Sequence, residues 1–401
     1  MTNAYTDGTC QQTLREGFTT GSAVSAAASA ALTALLAGEN PQSVIVTPPP
    51  DEKGGRVGPN VTIPVDFCER IAGNDAPVGH AGVTKDAGDD PDVTDGMLFT
   101  VHAAKNAAHF PFTLPDGICP PLPLGNTITL HAGPGIGLVT LPGLPIEPGE
   151  MAINPAPRRQ IAAMLCDTAS RWGYKGPIHC RITAHNGEKI AARTLNPRLG
   201  ITGGISILGT RGTVKPFSAE AWKTTIIRSL DVATSLHCPS ICLTTGRRSE
   251  NAMQTLFPKM HSQAFIQVAD HAGFALGEAA SRGFARILWA CFPGKLLKLA
   301  QGLAWTHAHD AAPDFALFAQ LAAKAGASEE IIATATRMPT VTGALEHIQK
   351  MAPGTYPAII HCMGKKAHNA IRKMASPKGR PPSIHLYIFD IQGHLLTTVR
   401  E

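Results

Sequence analysis

The chain has 401 residues, 44% of them hydrophobic and 16% charged, with 35 Lys and Arg against 30 Asp and Glu for a formal charge of +5. It is long enough for two domains with cores of their own and too apolar to be disordered. With aromatics at 5% and no dense basic run, it is a poor match to a nucleic-acid groove, whereas a polycarboxylate ligand would suit its mild positive balance. Nine cysteines without a Cys-x-x-Cys pair supply no zinc site and read as reduced thiols of a cytoplasmic protein.

Polar residues dominate before the first basic residue, Arg15, so no signal peptide is expected. Residues 23–37 are apolar but interrupted by Ser and Thr and too short to cross a bilayer, so no membrane association is expected. Thr19 or Thr20 can cap a small-residue helix running to residue 36. Its first turn, with Arg15 nearby, suits either an ordinary cap on a packed core helix or an anion. Short β-branched runs between residues 43 and 65 are broken by Pro48-Pro49-Pro50 and Gly54-Gly55. Residues 83–96 then hold five Asp within ten positions, among them Asp89 and Asp92. This is a loop, either bonded to itself through Asx turns or gripping a ligand, and it lacks the ligand alternation of a calcium site. No metal is expected.

Gly133, Gly135 and Gly137 imitate a dinucleotide loop, but no helix follows to receive a phosphate. They are read as backbone lying flat against a large ligand. A helix is expected over residues 159–172, with Arg158 an odd charge at its start unless it faces an anion. Strands at 178–184 and 189–194 flank His185-Asn186-Gly187-Glu188, which reads as an Asn-Gly hairpin, and Arg198 leads into the next stretch.

Residues 201–218 read as the seam of the molecule, either a plain linker or a strand presenting Gly203, Gly204 and Ser206 to a ligand. Beyond it, helices and short apolar strands alternate, which predicts a parallel, Rossmann-like sheet whose binding edge carries Thr245, Gly246 and Asp270. Asp270 suits a ribose hydroxyl or a helix cap equally. Lys295 and Lys298 sit one turn apart on a helix, and His307, His309 and Asp310 follow it. That cluster suits a general base or substrate anchor better than a metal. Helices over 313–325, 328–351 and 357–374 and a terminal hairpin at 385–399 complete the chain.

Several stretches together resemble the cobalt-precorrin-5B C1-methyltransferases of anaerobic cobalamin biosynthesis. They are Leu-Arg-Glu-Gly-Phe-Thr-Thr-Gly at 14–21, Lys-Asp-Ala-Gly-Asp-Asp-Pro-Asp-Val-Thr at 85–94, Gly-Pro-Gly-Ile-Gly at 133–137, Ala-Ile-Asn-Pro-Ala-Pro-Arg at 152–158, Gly-Gly-Ile-Ser-Ile-Leu-Gly-Thr at 203–210, and Gly-Lys-Leu-Leu-Lys-Leu-Ala at 294–300 with Thr306-His307. They keep the family's order along nearly the whole chain, although Arg211 and Arg247 depart from its pattern. The resemblance implies S-adenosylmethionine as methyl donor and a corrinoid precursor as acceptor. It also implies an α+β domain (1–215) followed by an α/β Rossmann-like domain with a mostly parallel sheet (216–401), and it leaves a homo-oligomer open. On this reading Arg15, Thr19, Thr20, the three glycines at 133–137, Arg158, Arg198, Lys295 and Lys298 bind the acceptor. Gly203, Gly204, Ser206, Thr245, Gly246 and Asp270 bind the donor, and His307, Asp89 or Asp92 handles a proton. A nicotinamide-dependent reductase and a non-catalytic carrier of the corrinoid are the alternatives.

Overall fold

The computed structural model describes residues 14–50, 55, 58–112, 120–125, 127–308, 310, 312–375 and 382–400; Gly54 and His309 lie outside them. The chain is α+β with mixed sheets and divides into two compact units, Met1–Ser218 and Ala219–Glu401.

In the first unit the chain runs β1 (Gly17–Phe18), α1 (Thr20–Ala37), β2 (Ser43–Val46), β3 (Val61–Pro64), β4 (Phe67–Ile71), β5 (Val78–Thr84), β6 (Leu98–Ala104), β7 (Leu122–Leu124), β8 (Ile128–Ala132), β9 (Gly135–Ile136), β10 (Leu138–Val139), α2 (Pro155–Arg171), β11 (Ile178–Ala184), α3 (Gly187–Ala191), β12 (Ile201–Thr202), β13 (Gly204–Ile205) and β14 (Thr213–Val214). Six strands form a sheet in the order β4-β5-β6-β11-β8-β7, antiparallel except where β11 meets β8. Alternation along the strands gives this sheet two unlike faces. Ala81, Val83, Val101, Leu130, Cys180 and Ile182 join the core with the alanines of α1. On the other face His80, His102, Arg181 and His131 lie side by side on neighbouring strands. Helix α1 is long and apolar enough to cross a membrane, yet 89% of its apolar window is buried, as befits a core helix.

The expected hairpin at Asn186-Gly187 does not form. Residues 187–191 turn into α3, because β11 already has β6 on one side and β8 on the other and offers no free edge to a returning strand. The helix expected from residue 159 begins four residues earlier, with Pro155 at its first position.

The second unit runs α4 (Ala219–Ser235), β15 (Ser240–Thr244), α5 (Arg247–Leu256), β16 (Phe265–Gln267), α6 (Ala272–Ser281), β17 (Arg286–Cys291), α7 (Pro293–Ala300), α8 (Phe315–Lys324), α9 (Glu329–Ala335), α10 (Val341–Met351), α11 (Tyr356–Met374), β18 (Ser383–Phe389) and β19 (Leu395–Val399). Its sheet has the order β16-β15-β17-β18-β19, with the first three joins parallel and the last antiparallel. The single helix expected over 328–351 is two. Pro339 cannot continue a helix, and Thr340 restarts one by accepting the Gly343 amide at 3.0 Å.

Candidate functional site

Parallel strands β15, β16 and β17 all end on the same edge of the second unit's sheet, so the residues that follow them converge. Thr245 and Gly246 follow β15, Asp270 follows β16, and Lys295 sits in the first turn of α7 after β17. Lys295 Nζ lies 2.9 Å from Asp270 Oδ1 and donates to the Ala269 carbonyl at 2.9 Å. Thr306 donates its hydroxyl to the same Oδ1 at 3.0 Å and its amide to the Asp270 carbonyl at 3.1 Å. Burial alone would raise the Asp270 pKa, but the hydrogen bonds from Lys295 and Thr306 and the Lys295 charge outweigh it and hold the carboxyl below its usual value. Asp270 therefore stays an anion, with Oδ2 unpartnered among the described residues.

Lys298 has a different task. Its side chain is 6% exposed, and Nζ donates to the carbonyls of Thr306 at 2.9 Å and His307 at 3.2 Å, so it staples the 304–307 loop to α7. His307 Nδ1 stands 3.2 Å from Asp310 Oδ2, and its ring lies over Trp305, which in turn meets His271 edge-on at 4.5 Å. Trp305 Nε1 donates to Asp310 at 2.8 Å. The expected donor residue Asp270, the acceptor residues Lys295 and Lys298 and the expected base His307 thus form one connected constellation. Thr306, which the sequence offers only beside His307 in the family pattern, and Trp305, which has no sequence signal of its own, complete it.

In the first unit the expected site residues are bonded within the chain. Arg15 forks onto both oxygens of Asp86, with Nη2 to Oδ1 at 2.8 Å, and these hydrogen bonds hold the Asp86 carboxyl below its usual range. Asp89 accepts the Arg15 amide at 2.7 Å. Asp92 takes Lys85 Nζ at 2.8 Å together with the Thr94 amide and hydroxyl. Burial pushes the Asp92 pKa up, and Lys85, 1% exposed, with Thr94 more than offsets it. The acidic loop is therefore the Asx-bonded structure. The first turn of α1 is likewise closed, since the Ser22 amide goes to Thr19 Oγ1, the Gly21 amide to the Leu208 carbonyl at 3.2 Å, and Thr20 Oγ1 accepts the Leu208 amide. Arg158 binds the Ile153 carbonyl and Glu150 Oε2 at 2.7 Å, and Arg198 lies half-buried on the turn before β12.

The glycine loops meet each other. β9 pairs with β13, and a Cβ on Gly204 would stand 2.2 Å from the Gly135 carbonyl oxygen, one on Gly135 2.0 Å from that of Ala184. A Cβ on Gly133 would meet Thr183 Oγ1 and the Ile182 carbonyl, and one on Gly137 the Ile201 side chain and the Gly204 carbonyl, so both positions face the chain itself, side chain as well as backbone. At Gly135 and Gly204 the close approach is of backbone to backbone, whereas the Gly203 position, at φ +74, opens to free space. Ser206 donates to Asn196 Oδ1, which belongs to the side chain holding the Gly204 carbonyl.

A family model described as CbiD matches residues 8–216, a little over half of the chain, and a second, described as CbiD, C-terminal domain, matches residues 305–400. The chain belongs to the CbiD family. A protein of Nitratidesulfovibrio vulgaris named cobalt-precorrin-5B C(1)-methyltransferase is 42% identical over 96% of this chain and 92% of its own length. A protein of the same name from Agrobacterium fabrum is 37% identical over 97% and 93%. A solved CbiD-family structure, a cobalamin biosynthesis protein from Archaeoglobus fulgidus, is 27% identical, with a TM-score of 0.37 over 72% of this chain and 80% of that one.

Proposed function

We propose that this chain transfers a methyl group from S-adenosylmethionine to C1 of cobalt-precorrin-5B, giving cobalt-precorrin-6A and S-adenosylhomocysteine. The observation that carries the reading is the 42% identity, over nearly the full length of both chains, to a relative named for that activity. The second unit's sheet, parallel through three of its four joins, is read as Rossmann-like, with the donor at the edge where Asp270 stands. Asp270 fits that task because it is kept ionised while one of its oxygens is unspent, ready to accept from ribose hydroxyls. Trp305, 37% exposed beside His271 and His307, offers an aromatic face to a flat ligand.

Methyl transfer is an in-line displacement. The S–CH3 bond breaks as the C1–CH3 bond forms, the sulfonium's positive charge passes to the ring, and a proton is then released. The enzyme's task is alignment and exclusion of water, with a modest base for the proton, and His307, poised against Asp310, takes that role. The thiol-rich, disulfide-free chemistry of the seven described cysteines accords with a cytoplasmic setting.

Incubating the protein with methyl-labelled S-adenosylmethionine and cobalt-precorrin-5B should place one label on the corrinoid. Calorimetric titration with S-adenosylmethionine and NADH separates the alternatives. A reductase takes NADH, a carrier takes neither, and either outcome with no label transferred removes the proposal.

A further inference from the structure

Away from α1, the first unit's sheet carries a row of polar residues built from five strands. Glu69, His80, His102, Arg181 and His131 are successive cross-strand partners on β4, β5, β6, β11 and β8. His80 stacks on His102 with centroids 4.1 Å apart, and His131 Nε2 stands 3.1 Å from His179 Nδ1. Phe112 lies on the Arg181 guanidinium at 4.1 Å and meets His102 edge-on at 4.9 Å. The row's one carboxylate, Glu69, is at its far end, bonded to His80 at 3.2 Å. Arg181 thus holds a half-buried positive charge with no acidic partner among the described residues. Its Nε and the Nδ1 of its neighbour His102 are shut off from solvent without a hydrogen-bond partner. Groups of this kind are costly to bury and are normally answered by a counter-charge.

We propose that this face of the sheet is an oxyanion site, centred on Arg181 and His102, that takes a carboxylate. The guanidinium supplies the planar fork that matches a carboxylate side-on, and a neutral His102 with its proton on Nδ1 adds a third donor. The charge balance selects the class. Arg181 brings one fixed positive charge, beside His102 and His131 whose burial disfavours the imidazolium, so a carboxylate is matched and a phosphate dianion is not. The ligand reaches the guanidinium at its accessible edge, and Phe112 yields to admit it to Nε. The site is independent of the methyl-transfer reading, since it uses none of the residues invoked there.

The test uses the full chain with labelled histidine, titrated with sodium acetate against sodium chloride at constant ionic strength and pH 7.5, and followed by side-chain NMR. His102→Gln assigns the His102 signal. Acetate should move the His102 and His131 ring signals saturably while chloride does not. The apparent affinity should fall at least tenfold in Arg181→Lys, which keeps the charge and loses the fork. An equal response to chloride, no response to acetate, or an unchanged affinity in Arg181→Lys overturns the proposal, as does tighter binding of inorganic phosphate than of acetate. Should Arg181→Lys fail to fold, Phe112→Leu serves in its place. Lowering the aromatic cover should alter the acetate affinity, and an identical affinity counts against the site. Saturating cobalt-precorrin-5B then separates two sources of the carboxylate: a corrinoid side chain displaces acetate, and a small free acid binds beside the corrinoid.

Discussion

The histidine row makes the first unit acid-labile at a pH where the paired carboxylates Asp86 and Asp92 stay ionised. Burial, reinforced by the charges of His80 and Arg181, pushes His102 down from its ordinary value of 6.5 to about 3. Burial with His179 and Arg181 pushes His131 down to about 4. Both groups bind protons more readily in the unfolded chain, so the stability they contribute is complete above pH 6.5 and is lost as pH falls toward their folded values. Between pH 6.5 and 5 each forfeits about 2 kcal/mol, from about 1.4 kcal/mol per pH unit. Solvent screening at the partly exposed His102 and the coupling along the row reduce the pair's joint effect to roughly 2 kcal/mol. The paired carboxylates Asp86 and Asp92 are held below their usual range and titrate at lower pH. Hydrogen exchange on peptides covering β6 and β11, corrected for the intrinsic pH dependence of exchange, should lose protection by roughly thirtyfold between pH 7.5 and 5. In His102→Gln the loss should be visibly smaller. Equal losses in the two proteins, or none in either, would refute the burial argument.

The other predictions concern the glycines and the sheet edge. Gly204→Ala should destabilise by about 3 kcal/mol or prevent folding, because the new methyl meets the Gly135 backbone, whereas Gly203→Ala should cost about 1 kcal/mol for its positive φ alone; chemical melts that reverse this order would falsify the backbone contact between β9 and β13. Lys298→Met strands the Thr306 and His307 carbonyls, so it should cost about 2 kcal/mol or more and speed hydrogen exchange around residues 304–307, an effect that a mere substrate contact would not produce. Asp270→Asn should raise KM for S-adenosylmethionine at least tenfold and abolish the thermal stabilisation that S-adenosylhomocysteine gives; an unchanged KM moves the donor elsewhere. His307→Ala should lower turnover at saturating substrate by roughly a hundredfold, and full turnover would end its role as a base.

What the sequence disclosed was the local part of the fold. The cap expected at Thr19 or Thr20, the helix–strand alternation after residue 218 and the terminal hairpin all follow from short-range pattern, whereas the helix expected over 328–351 is broken at Pro339. Asn186-Gly187 misleads because whether a turn closes a hairpin depends on a free strand edge, and β11's edges are occupied by β6 and β8, strands from much earlier in the chain. The glycines at 133, 135, 137 and 204 lie at close approaches within the chain. What they approach is settled by the pairing of β9 with β13, which no local window contains. The histidine row is hidden for the same reason. Its members come from five separate strands, and only the register of those strands makes them neighbours.

Charge shows most clearly where reading by residue type runs out. By sequence Arg15, Arg158, Lys295 and Lys298 are cations suited to an acidic macrocycle, and each is bonded to the chain itself: to Asp86, to Glu150, to Asp270 and to two loop carbonyls. A cation beside a conspicuous motif is often conspicuous because it holds that motif together, since a loop rich in Asp or glycine needs such a staple to keep one conformation. Lys295 can serve both ends because its contact leaves an oxygen of Asp270 unspent. Arg181 stands in no motif and drew no notice, yet it has what a ligand-binding cation requires: partial burial, an aromatic platform and a donor that nothing in the described chain satisfies. For an anion, the unmet hydrogen-bonding capacity of a buried cation is a better pointer than the number of basic residues nearby, because only unmet capacity leaves binding energy to be gained.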